Sequence, residues 1–137
     1  MRLADLQIPA RAEFVSVARL VVSSVVDDRY DLTNDRLDNL KLAVSEACNL
    51  AIEFHRESDD AQIVISCESQ RDGFDVLVRA EGNQFAKVRL EHEDLEIGGK
   101  SLEGEVGLPF IESLVDAMAM DQDALRLTLL ADPAEEL

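Results

Sequence analysis

Leu40-Lys41-Leu42-Ala43-Val44-Ser45-Glu46-Ala47-Cys48-Asn49-Leu50-Ala51 is the stretch from which the fold is read. Leu37, Leu40, Val44, Cys48 and Ala51 recur at helical spacing and form one apolar stripe, with Ile52 on its flank. Thr33 or Asn34 can cap this helix, and Asp35 suits the positive end of its dipole. The pattern predicts a helix from about Asp35 to Phe54 or His55, with Asp35, Asp38 and Lys41 facing away. The acidic turn Glu57-Ser58-Asp59-Asp60 follows it.

Upstream, Leu6 and Ile8 flank a polar Gln7 before Pro9, which predicts an edge strand over Leu3–Ile8. Phe14, Val17, Ala18, Val21, Val22 and Val25 then share a helical stripe that ends at Asp27-Asp28. So many valines give poor helix propensity, so burial must hold this helix. Downstream, Gln62–Cys67 and Phe74–Arg79 alternate on either side of the polar loop Glu68–Gly73, which predicts an antiparallel hairpin with one wet face. A helix near Val106–Val115 and a strand over Leu125–Leu129 complete the pattern, and Met118 and Met120 alternate as in a strand facing the core. Strand, helix, helix, strand, strand, irregular stretch, helix, strand is the order of an α+β two-layer sandwich. Its sheet is mixed and mostly antiparallel, with the helices on one face. Residues 1–131 read as one domain and 132–137 as a solvated tail.

Composition narrows the function. The chain has 137 residues, 13 Lys+Arg against 29 Asp+Glu, and a net charge of −16. Such a surface repels phosphate backbones and anionic lipid, which argues against direct nucleic-acid or membrane binding and favours a basic protein partner. No apolar run approaches the roughly 18–20 residues of a membrane span, and the N-terminus carries no signal-peptide pattern. Cys48 and Cys67 read as buried reduced thiols, which fits the cytoplasm. His55 and His92 lack metal-ligand spacing with them.

Two constellations could carry chemistry. Glu46 and Asn49 stand three apart on the second helix, with Glu46 about 160° around from Val44. They read either as a solvated helix face or as a general base beside an amide that holds Mg²⁺. Gly104 and Gly107, with Leu108, lie ahead of or at the start of the third helix, where bare backbone suits an anion. Gly82 adds a flexible point toward the same cleft, and Gly82–Gly107 reads as a glycine-punctuated lid.

In their order these segments resemble a family. Leu40–Ala51, with its Leu-Ala-Val-Ser-Glu-Ala-Cys phrase, looks like the N-box helix of the histidine-kinase-like (GHKL) ATPases, and specifically of their anti-sigma factor/serine-protein kinase branch. Ile8-Pro9-Ala10 and the Val-rich helix fit that branch too. Gly104, Gly107, Leu108, Ile111, Leu114 and Asp116 follow its second glycine box. The resemblance implies the histidine-kinase-like fold, with ATP and Mg²⁺ as cofactors, Glu46 as catalytic base and Gly82, Gly104, Gly107 and Leu108 at the nucleotide. An Asn four residues after the Glu holds Mg²⁺ in that family. Here that position is Leu50, and the nearest amide, Asn49, is swung by about 100° around the axis. The Asp that reads adenine in the family is replaced by Ala80.

The resemblance therefore implies an anti-sigma regulatory factor that binds an RNA polymerase sigma subunit and is released by a STAS-type anti-anti-sigma partner, with weakened or lost ATP use. The alternative it implies is an active serine-protein kinase that phosphorylates that partner with Mg-ATP. Either would act as a homodimer.

Overall fold

The computed structural model describes residues 1–55, 61–80, 103–120 and 124–134. Strand β1 (Arg2–Pro9) leads through a single 3-10 turn (Ala12–Phe14) into α1 (Val15–Arg29). A two-residue strand β2 (Tyr30–Asp31) precedes α2 (Asn34–His55), and the hairpin β3 (Gln62–Gln70) and β4 (Gly73–Ala80) follows. Helix α3 (Glu103–Leu114), β5 (Ala117–Met120), β6 (Ala124–Leu130) and β7 (Asp132–Pro133) complete the described chain. The main sheet has the order β1-β3-β4-β6-β5, and each of its pairings is antiparallel. This is the expected α+β sandwich, with an antiparallel sheet among the described residues.

Register explains the core. Ile65 stands opposite Leu6 on one side and Val78 on the other, and Val78 stands opposite Leu125. One face of the sheet therefore carries Ile63, Ile65, Cys67, Phe74, Val76, Val78, Leu125, Leu127 and Leu129, all at most 1% exposed. Leu40, Ala43, Val44, Ala47, Cys48 and Ala51 of α2 are fully buried in the same apolar cluster. With aromatics at 4% of the chain, the Tyr30–Phe74 pair, with ring centroids 4.8 Å apart, is one of few aromatic contacts available to it. Met118 and Met120 are half-buried on the core side of β5, as their alternation suggested.

Several boundaries differ from the sequence pattern. The hairpin turn is only Arg71-Asp72, because Gln70 already pairs with Gly73 and the strands run through the stretch expected as loop. On α1 the buried set is Val15, Ala18, Val22, Ser23 and Val26, while Val17 is 41% exposed. Valines over about half the circumference of this helix allow more than one apolar stripe, and a small buried serine fills part of the seam. Thr33 is the cap of α2: its Oγ1 accepts a hydrogen bond from the Arg36 N–H at 3.2 Å. Asp132 and Pro133, in the stretch expected to be a solvated tail, pair with Asp31 and Tyr30, and the Ala134 N–H donates to the Arg29 carbonyl at 2.9 Å.

Cys48 and Cys67 are buried and unbonded. Burial pushes the Cys48 thiol up to about 12 and the Cys67 thiol up to about 11, so neither forms thiolate near neutral pH. Both are expected to resist a thiol reagent at about pH 8 in the folded protein and to label promptly in denaturant, which timed mass spectrometry would show.

Candidate functional site

The candidate site lies where α2 meets α3. Along the outer side of α2, Asp38, Asn39, Leu42, Asn49 and Glu53 are exposed, and Glu46 stands half-buried at the margin of that stripe. Residues four apart on a helix stack on the same side, so Glu46 and Leu50 lie one above the other. Leu50 is 5% exposed, and its methyl carbons lie 3.5 and 3.6 Å from where a Cβ on Gly107 would stand. The structure thus brings Leu50, and with it the Glu46 side of α2, to the glycine-bearing helix. Asn49 is exposed, one hundred degrees around the helix from Leu50, and no described contact carries it to the glycines.

The glycines differ from expectation too. Helix α3 begins at Glu103, so Gly104 and Gly107 lie inside it, not ahead of it. The early start was hidden because Glu103-Gly104-Glu105 carries no apolar period. In an α-helix only the first four N–H groups lack an intrahelical acceptor. Gly104 is among these four, whereas Gly107, the fifth residue of the helix, lies beyond them. Leu108 is half-buried against the core, and Ile111 is fully buried. Of the lid expected over Gly82–Gly107, residues 82–102, with Gly82 and His92, lie outside the described residues, and Glu103 to Gly107 are helix.

Asp116, the last residue of the second glycine box, has a structural task. Its carboxylate accepts from Arg36 of α2 and, at 2.7 Å, from the Leu130 N–H, while Arg36 also donates to the Leu130 carbonyl at 2.7 Å. The box thereby ties the start of α2 to the end of β6.

Mg-ATP is the group this family would hold, and the described residues can be tested against it. Mg²⁺ needs oxygen ligands, and the position facing the glycines offers Leu50 instead. An adenine amino group needs an acceptor, and Ala80, 2% exposed, offers a methyl group that belongs to the apolar cluster. No group of three or more His, Cys, Asp or Glu side chains suited to a metal occurs among the described residues. These positions do not fit the nucleotide. Among the described residues, Glu46 keeps a half-buried carboxylate beside this position.

Two features were not foreseen. A surface hollow of about 330 Å³ lies between α1 and α2, lined by Ser16, Val17, Arg19, Leu20, Ser23 and Lys41. Arg19 reaches across it to the Ser45 Oγ at 3.2 Å. Leu20 is 65% exposed beside it. Lys41, expected to face away, is half-buried on its wall. The second feature is on the outer face of the sheet. There the buried Asp75 carboxylate accepts from Gln70 at 2.9 Å, Arg126 at 2.6 Å and Thr128 at 2.7 Å. Two strands away on β1, Asp5 accepts from Ser66 at 2.6 Å; that bond first, then Arg2, holds its carboxyl below the usual range. A lone polar residue at an alternating position is the only sequence sign of such a network.

The fold and the N-box helix define a class, and comparison with known proteins gives the same one. Residues 8–131 match the histidine kinase-like ATPase domain, and the chain belongs to that family. Within it, the chain is similar to proteins named serine-protein kinase RsbW. It is 32% identical to the one from Listeria monocytogenes serotype 4a over 86% of this chain and 78% of that protein. Identity is 30% to the Bacillus subtilis protein over 82% and 73% of the two chains, and 29% to that of Halalkalibacterium halodurans over 88% and 76%. Among the described residues no helix is long and apolar enough to cross a membrane.

Proposed function

We propose that this chain is an anti-sigma regulatory factor: it holds an RNA polymerase sigma subunit, gives it up to a STAS-type anti-anti-sigma partner, and has weakened or lost the use of ATP. The observation that carries the reading is Leu50 packed on Gly107 within a domain of the histidine-kinase-like family. The scaffold persists while the metal-holding amide is absent, and fold and partner class can outlast phosphotransfer. The −16 charge supports a basic partner surface and fast, steered association. A cytoplasmic location follows from that partner.

A second copy of the chain belongs to the reading. The outer face of the sheet supports it: Arg2, Arg79 and Arg126 there balance Asp5, Glu68 and Asp75, so two copies can meet without the repulsion that other surfaces of so acidic a chain would bring.

Calorimetry on the purified chain tests the function. Mg-ATP is expected to bind no tighter than about 1 mM, which is about 4 kcal/mol. A sigma subunit should bind without nucleotide, with affinity falling about tenfold as salt rises from about 50 to about 300 mM. Micromolar Mg-ATP binding would favour the second reading, an active serine-protein kinase, which the retained Glu46 and the names of the relatives support. In that case Glu46→Ala should abolish phosphate transfer to the anti-anti-sigma partner and leave sigma binding intact.

A further inference from the structure

Helix α3 is poorly equipped to stand alone. Its twelve residues include Gly104, Gly107 and Pro109. Each glycine disfavours the helix, and the proline removes the hydrogen bond to the Glu105 carbonyl. Such a helix stays folded only through what it packs on. Leu50 of α2 lies against Gly107, and one turn further along α3 Ile111 is fully buried in the apolar cluster.

We propose that Leu50 and Gly107 form a locked joint. The Leu50 side chain supplies, from within the chain, the contact at Gly107 that holds α3 on α2. The helix is thus docked in the ligand-free protein, and exchange of protein partners proceeds by competition with no nucleotide-dependent step. The regulatory half of this inference rests on the proposed loss of ATP use; the joint itself does not.

Gly107 makes the idea decidable. A glycine that cradles phosphate must stay bare, because a Cβ would occupy the anion's place. Here a Cβ would meet the Leu50 methyl groups at 3.5 and 3.6 Å, ordinary packing distance, in a helix position where alanine is the better residue. Gly107→Ala is therefore expected to melt about 3 °C higher than wild type, and the gain should shrink when Leu50→Ala removes the methyl's partner. Hydrogen exchange supplies an independent readout. Leu50→Ala should speed exchange over residues 107–114 about tenfold while β3 and β4 keep their protection, Leu50→Met should restore it, and millimolar Mg-ATP should leave the wild-type pattern unchanged.

A lower melting temperature for Gly107→Ala or α3 exchange indifferent to Leu50→Ala would overturn the joint, whereas slowing of that exchange by Mg-ATP would overturn its regulatory half alone. If Leu50→Ala does not fold, the smaller truncation Leu50→Val replaces it in the pairing with Gly107→Ala, and strictly additive melting shifts would count against the contact. None of these measurements contains a sigma subunit. Failure to bind sigma would sink the functional reading while leaving the joint standing.

Discussion

Replacing Gly73 with alanine is expected to cost at least about 3 kcal/mol and to lower the melting temperature by about 10 °C. Gly73 begins β4, opposite Gln70 on one side and Leu130 on the other. A Cβ there would lie 1.9 Å from the Leu129 carbonyl oxygen and 2.9 Å from both the Leu129 carbonyl carbon and the Leu130 Cα. All three atoms are backbone, so no side chain can swing aside. The end of β6 cannot retreat cheaply either. Leu130 is held by Arg36 and Asp116, and the Ala131 N–H donates to the Asp72 carbonyl at 3.0 Å. Relief would mean breaking one of these ties or peeling β6 from β4, the central strand of the sheet. Thermal and urea melts followed by circular dichroism would measure the loss; an alanine variant that melts within about 2 °C of wild type would show that the strand ends are looser than described. The same substitution at Gly107 is expected to have the opposite sign, because there the added methyl meets flexible side chain.

Gly73 and Gly107 also show how far the sequence could be read. Periodicity found α2, the β3–β4 hairpin and β6, because each buries one face and leaves the other wet, so its repeat is written in residue type. It did not find the tight turn at Arg71-Asp72, since the signal of a two-residue turn was submerged in a polar stretch. It did not phase α1, whose valines cover about half the circumference, nor begin α3 at Glu103, where acidic residues and a glycine precede the first apolar turn. The pairing of β2 with β7 joins two segments about one hundred residues apart, and short-range pattern cannot carry that information. At the site, helical spacing set Glu46 about 160° around from Val44, and it stands half-buried at the margin of the exposed stripe. The departure at its fourth following position was equally legible, because one residue of displacement on a helix is a fixed rotation. What α2 faces at that position is tertiary information: only the contact with Gly107 shows that Leu50 turns toward the glycines and is packed there.

The adenine side of the site can be interrogated by restoring the residue that the family resemblance calls for, and Ala80→Asp is expected to be among the most damaging single changes in the chain. Ala80 ends β4 opposite Ile63, is 2% exposed and sits within the apolar cluster. A carboxylate there would lose its hydration beside a hydrocarbon neighbour. Burial raises such a group's pKa by several units, and remaining ionised or taking up a proton at pH 7 costs about 4 kcal/mol. The melting temperature should fall by about 12 °C. The pH dependence has a definite sign. The folded variant binds its proton more tightly than the unfolded chain does, so the penalty is largest above the raised pKa and shrinks as pH falls toward about 4. Wild type, lacking the group, should show no such recovery. Nucleotide binding gives the second readout. A charge-assisted contact to an adenine amino group is worth about 1.5–3 kcal/mol, a gain of roughly tenfold to a hundredfold, but only where a hollow admits the base. With Leu50 still at the glycines, Ala80→Asp should leave Mg-ATP binding weaker than about 1 mM and its melting temperature unmoved by the nucleotide. If Mg-ATP instead returned the variant to the wild-type melting temperature, the carboxylate would have found its ligand. The cleft would then be a working nucleotide site lacking one contact, and the kinase reading would displace the one preferred above.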